Sequence, residues 1–188
     1  MSEDECRVAD WVAVGYEDGT RGVAADHMSE HRSACADYGI APDMEAWLQG
    51  RERGLTEYCR PGKGFEQGRV NGEYRGVCRG AAEVAFLAGY ADGQVIGDFE
   101  RAISTRQSEL YRAESDLEDL DKWYRRAGDV ESTLVDSSVS EEERRELLRD
   151  IRAYERDRAD LVSDIRELEL QVVALQTELR ILRDSLRY

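Results

Sequence analysis

Residues 141–186 read EEERRELLRDIRAYERDRADLVSDIRELELQVVALQTELRILRDSL. Within them Leu147, Ile151, Tyr154, Leu161, Ile165, Leu168, Val172, Leu175, Leu179, Leu182 and Leu186 recur at alternating steps of three and four, with Arg158 as the one break. Such spacing lays a narrow apolar seam along a helix, suited to knobs-into-holes packing against another helix. A second series lies upstream: Ile96, Phe99, Ile103, Leu110, Ala113, Leu117, Leu120 and Tyr124, broken only by Arg106. Between the two, residues 128–139 show no period and several turn formers. Ser140, with Glu143 three residues on, makes a capping box, and Glu141 and Glu142 complement the helix dipole.

The chain therefore turns back on itself. We expect an antiparallel coiled-coil hairpin with arms near 98–127 and 141–188 and a loop at 128–140. Symmetric pairing across that loop places Arg158 opposite Leu110 and Arg106 opposite Leu161 and Val162, in neighbouring layers. Both side chains are expected to reach flanking acids such as Glu109 and Asp160; the rival reading is a polar layer that fixes register. The second arm is longer by about 18 residues, or ~27 Å. Its surplus is expected to return along the first half of the chain.

That first half is chemically different. Residues 1–97 hold 15 of the 16 glycines, both prolines, both histidines and all four cysteines. One pattern recurs there: an apolar residue, then glycines three and seven places on. It gives Val12/Gly15/Gly19, Trp47/Gly50/Gly54, Phe65/Gly68/Gly72 and Phe86/Gly89/Gly93. Residues four apart share a helix face, so these glycines predict smooth grooves where helix backbones approach closely. Each costs up to ~1 kcal/mol of helix propensity relative to Ala, which close contact must offset. Gly39 and Gly62 read instead as turn or cap residues, and Asp18 and Asp92 as loop or cap residues. The fold class expected is all-α: a compact glycine-rich domain at 1–97, followed by the hairpin at 98–188.

Charge limits the partners. With 41 acidic and 26 basic residues the chain carries a net charge of −15, which repels nucleic acid and anionic membrane faces. No apolar run is long enough for a transmembrane segment. The opening residues are acidic and polar, unlike a secretory signal.

The string Cys6, Asp10-Trp11, Gly15-Tyr-Glu-Asp-Gly19, His31, Cys35, Gly50, Gly54, Tyr58-Cys59, Gly68, Gly72, Tyr74, Cys78, Phe86, Tyr90 and Gly93 resembles a proteobacterial family of small envelope proteins. That family is known as domain of unknown function two-seven-nine-nine, and the resemblance covers about residues 5–97. It implies export to the periplasm or association with the outer membrane of a Gram-negative bacterium, with a lipid anchor upstream in lipoprotein-like members. It implies no activity.

Four cysteines confined to one domain fit two disulfides formed in an oxidising compartment. Three connectivities are open. An antiparallel pairing of 8–21 with 27–37 brings Cys6 and Cys35 to one end and favours that bridge, leaving Cys59–Cys78. An up-down bundle would hold those two apart, so the second bridge requires a bend within 60–80.

His27, His31 and Cys35 fall along one helical face with Met28 beside them, a donor set suited to zinc or copper if the thiol is free. Of these, His27 and His31 are the candidate metal ligands. No nucleophile elbow, zinc-protease motif, phosphate loop or dinucleotide fingerprint is present, so we expect neither catalytic residues nor a cofactor. The expected role is a non-catalytic envelope scaffold acting through helical surfaces on a protein partner or on itself, as a homodimer burying Tyr111, Trp123 and Tyr154. The alternatives are a metal-binding protein, or a glycan- or peptidoglycan-binding module built on Trp11, Trp47, Tyr16, Tyr58, Tyr74 and Tyr90.

Overall fold

A computed structural model describes residues 2–126, 128 and 130–186. These hold only helices and their connections: α1 (Glu3–Val8), α2 (Trp11–Thr20), a 3-10 turn (Ala25–His27), α3 (Met28–Ala36), α4 (Met44–Tyr58), α5 (Pro61–Arg69), α6 (Gly80–Arg126), α7 (Val130–Val135) and α8 (Glu141–Ser185). The expected ends of the two arms, residues 127 and 187–188, lie outside the described residues. The chain divides into two compact units, Met1–Asp98 together with Leu182–Tyr188, and Phe99–Ile181. The boundary expected at 97/98 falls within α6, which runs unbroken from Gly80 to Arg126, and the chain from Leu182 on is grouped with the first unit.

Local chemistry sets the helix ends of the first unit. Asp10 caps α2 by accepting from the Ala13 amide, and Asp43 caps α4 by accepting from that of Ala46. Pro61 opens α5, where its missing N–H costs nothing. Gly22 and Gly39 end α2 and α3 with positive φ, 70° and 67°, the conformation that suits glycine at a helix C-terminus.

Glycine then fixes how the helices meet. A Cβ at Gly15 would overlap the Trp47 carbonyl oxygen, and one at Gly50 would overlap that of Val12; Gly19 and Gly54 meet the carbonyls of Arg51 and Tyr16 in the same reciprocal way. Each glycine thus faces the carbonyl three residues before its opposite glycine. The numbers rise together along both helices, so α2 and α4 run in the same direction. A second pair repeats the device: Gly64 faces Phe86, Gly68 faces Tyr90, Gly89 faces Pro61 and Gly93 faces Phe65. Helices α5 and α6 are therefore parallel too.

Here the third copy of the glycine pattern is corrected by one turn. Gly72 lies beyond the end of α5, beside the Gln67 side chain, and Gly64 takes the interhelical place. Gly62, read as a turn residue, lies in the first turn of α5 with open space around it.

Parallel pairing also explains the sulfurs. The bridges are Cys6–Cys35 and Cys59–Cys78. Cys59 stands just before α5 and Cys78 just before α6, so two parallel helices bring both to one end. The 70–79 connector makes the return that the second bridge needs. In the first pair the cysteines precede the first facing glycines by nine and fifteen residues, in the second by five and eleven. Both arms of the second pair are shorter by one helical turn, and the first unit is an internal structural repeat. Trp47 and Phe86 occupy equivalent places, each three residues before its glycine, and both are fully buried.

In the second unit α6 and α8 form the antiparallel hairpin. Every apolar seam position named from sequence between Leu147 and Leu179 is buried or half-buried, as are Ile103, Leu110, Leu117 and Leu120 on α6; Leu182 and Leu186, grouped with the first unit, are half-buried as well. Ser140 and Glu143 form the expected capping box. The register differs from symmetric pairing by about ten residues. Tyr124 stacks on Tyr154 with ring centroids 4.0 Å apart, and Asp121 accepts from Tyr154 Oη and from Arg158 Nε. Arg158 thus faces Asp121 rather than Leu110 or Asp160, and Leu110 lies against Val172 and Val173. Arg106 bonds Glu109 in its own helix, as expected, but the two arginines are not in neighbouring layers. The cause is the connector. It is no simple loop: α7 and residues 133–139 lie along the first turns of α8, where Arg144 donates to the Asp136 carbonyl.

Candidate functional site

Asp18, read as a loop or cap residue, is the chemical centre of the first unit. It sits in the last turns of α2 and is 1% exposed. Three residues after Gly15, it shares the helix face that meets α4. Its carboxylate is held from three sides. Trp47 Nε1 on α4 donates to Oδ2 at 2.9 Å, His31 Nε2 on α3 lies 2.8 Å from the same oxygen, and Arg21 Nη2 donates to Oδ1 at 2.5 Å.

Burial alone would raise the Asp18 pKa. The hydrogen bonds from His31, Trp47 and Arg21, together with the His31 charge, outweigh it and hold the carboxyl below its ordinary range. Arg51, the other buried charge, donates Nε to the Val23 carbonyl at 2.8 Å and lies beside the Trp47 ring. The cluster therefore ties the end of α2, the turn after it, α3 and α4 together. Asp92, the equivalent residue of the last copy, is half-buried in α6.

His27 and His31 meet edge to face with ring centroids 5.0 Å apart. His27 Nδ1 lies 3.2 Å from Glu30 Oε1. Asp18, His27 and His31 each offer a ligand atom, all within 4.8 Å of one another. The remaining residues of the expected donor set are excluded: Cys35 is bonded to Cys6, and Met28 is packed into the core with Trp11 and Trp47. In their place the structure supplies Asp18, whose signal in the sequence is its place between two facing glycines.

The six aromatics proposed as a sugar platform do not share an exposed face. Trp11, Trp47 and Tyr58 are buried and Tyr74 and Tyr90 half-buried, which leaves Tyr16. Tyr58 and Tyr74 pack on Phe86, and Tyr90 donates to the Gly72 carbonyl. Of the residues expected in a dimer, Tyr111 and Trp123 are exposed, whereas Tyr154 is engaged within the hairpin.

This helical module, with its paired glycines, two bridges and buried aspartate, is similar to a known family. Residues 10–95 match the family model described as Protein of unknown function (DUF2799). Over this stretch the chain is similar to that family. The match ends at residue 95, so the similarity takes in both glycine-faced helix pairs and stops before the second unit. No curated protein and no solved structure is similar to the chain. Two disulfides are compatible with a place outside the cytoplasm, and no helix among the described residues is long and apolar enough to cross a membrane.

Proposed function

We propose that the protein is a non-catalytic scaffold of the Gram-negative envelope, periplasmic or held at the outer membrane. In this reading the DUF2799-like domain is the folded base and the hairpin is the part that binds. One observation carries the reading: α8 shows a second apolar face beside the seam. Leu170, Val173 and Ile181 are exposed, Leu170 at 72%. A groove of roughly 580 Å³ lies at this face, lined by Leu110, Arg166, Glu169, Leu170, Val172 and Val173.

The occupant we favour is a second copy of the chain. A two-fold axis near Val172 sets Leu170 and Val173 against the same residues of the other copy. It also brings each Arg166 beside a Glu178, so the face is self-complementary in shape and charge. The two bridges, the resemblance to envelope proteins and the engagement of the interior polar groups in holding helices together support the remainder of the reading.

Sedimentation of the oxidised full chain tests it. A dimer is expected that dissociates on Leu170→Glu with Val173→Glu, at unchanged helix content. A monomer at the highest attainable concentration rejects self-association, and a dimer indifferent to the double substitution rejects this face.

A further inference from the structure

We propose that Asp18, His27 and His31 form a binding site for one divalent ion of the zinc–copper kind, a property that goes beyond the scaffold reading and does not rest on it. Their ligand atoms lie within 4.8 Å of one another. Metal–ligand bonds near ~2.1 Å set neighbouring donors of a tetrahedral ion about 3.4 Å apart, so small side-chain rotations close the site without moving backbone.

The carboxylate is already oriented by groups that need not leave. Trp47 Nε1 holds Oδ2 and Arg21 holds Oδ1, an outer layer of the type that fixes ligating carboxylates. On binding, the ion replaces the proton lying between His31 Nε2 and Asp18 Oδ2, and that proton is released to solvent. His31 is 15% and His27 28% exposed, so the ion has a way in and the fourth coordination position faces water. The Arg21 guanidinium opposes a second cation; the Asp18 charge and the Glu30 carboxylate at His27 balance it. Two imidazoles and one carboxylate select zinc or copper over magnesium or calcium. The chain has no other histidine, and no free cysteine is found among the described residues.

The test is titration of the oxidised full chain with zinc chloride by calorimetry. A parallel copper titration is followed by tryptophan emission, because the Trp11 and Trp47 rings lie 5.8 and 6.3 Å from that of His31. We expect one ion per chain, a zinc-dependent rise in melting temperature and copper quenching. His27→Gln should weaken zinc at least tenfold and abolish both effects while leaving the circular dichroism spectrum unchanged, since His27 is not among the groups bonded to Asp18. His31→Gln serves as a second variant if it folds. Absence of saturable binding overturns the proposal, as does equal affinity in His27→Gln, which would assign the binding to surface carboxylates.

Discussion

A glycine can be worth more than any larger residue where two backbones touch, and the first unit tests this with opposite signs. At Gly15 a methyl group gains up to ~1 kcal/mol of helix propensity but overlaps the Trp47 carbonyl, and backbone cannot yield as a side chain can. Overpacking of this kind costs about 1–3 kcal/mol or more, so Gly15→Ala should lower the melting temperature. Gly62 has open space around it and no strained φ; Gly62→Ala should raise stability by up to ~1 kcal/mol. Asp18 is the other decisive residue. Removing it as Asp18→Ala leaves the buried Trp47 indole N–H without its partner, while Arg21 is free to turn to solvent, and should cost about 1–3 kcal/mol in chemical denaturation. Its folded pKa lies below the unfolded value. Its contribution is therefore complete above the unfolded carboxyl pKa, near ~4, and is lost as pH falls through the folded value. Acid unfolding monitored by tryptophan emission should show this loss in the wild type and not in Asp18→Asn.

Among elements, the hairpin shows what periodicity encodes and what it omits. Steps of three and four from Leu147 to Leu186 mark which side of α8 is covered, because burial acts on one face at a time, and each of those positions is covered in the fold. Register is a relation between helices, so the same string left it open. It was set by α7 and its flanks lying back over α8, a segment with no period to read. Asp121 facing Arg158 gives a direct check: Arg158→Glu should destabilise the hairpin, and Asp121→Arg in the same chain should restore it, as read by thermal melting. Restoration through a residue near Leu110 instead would reinstate the symmetric pairing. The glycine pairs show a similar split. Spacing marked the contact faces of α2, α4 and α6, but Phe65 drew the third copy one turn too far, because an aromatic is a stronger signal than Pro61. Asp18 is not legible in the sequence, because a carboxylate beside a glycine reads as a turn and the tryptophan that bonds it comes from another helix.

For the whole molecule, the bridges lie in one unit and the long seam in the other. Closing loops with sequence separations of 29 and 19 contributes roughly 3 kcal/mol each through the unfolded state. Reductant should therefore loosen the first unit selectively. Hydrogen exchange with and without dithiothreitol should speed up across residues 11–69 and stay unchanged across 147–165; equal acceleration in both would mean that the units share one unfolding step. The order of the sulfurs has a consequence for biosynthesis. Because each parallel pair is fastened at its own entrance, the first cysteine joins the second and the third joins the fourth, with neither loop enclosing the other. As the polypeptide emerges amino end first, an oxidant that couples thiols in their order of arrival makes the native bonds directly, and no shuffling catalyst has to undo a wrong one.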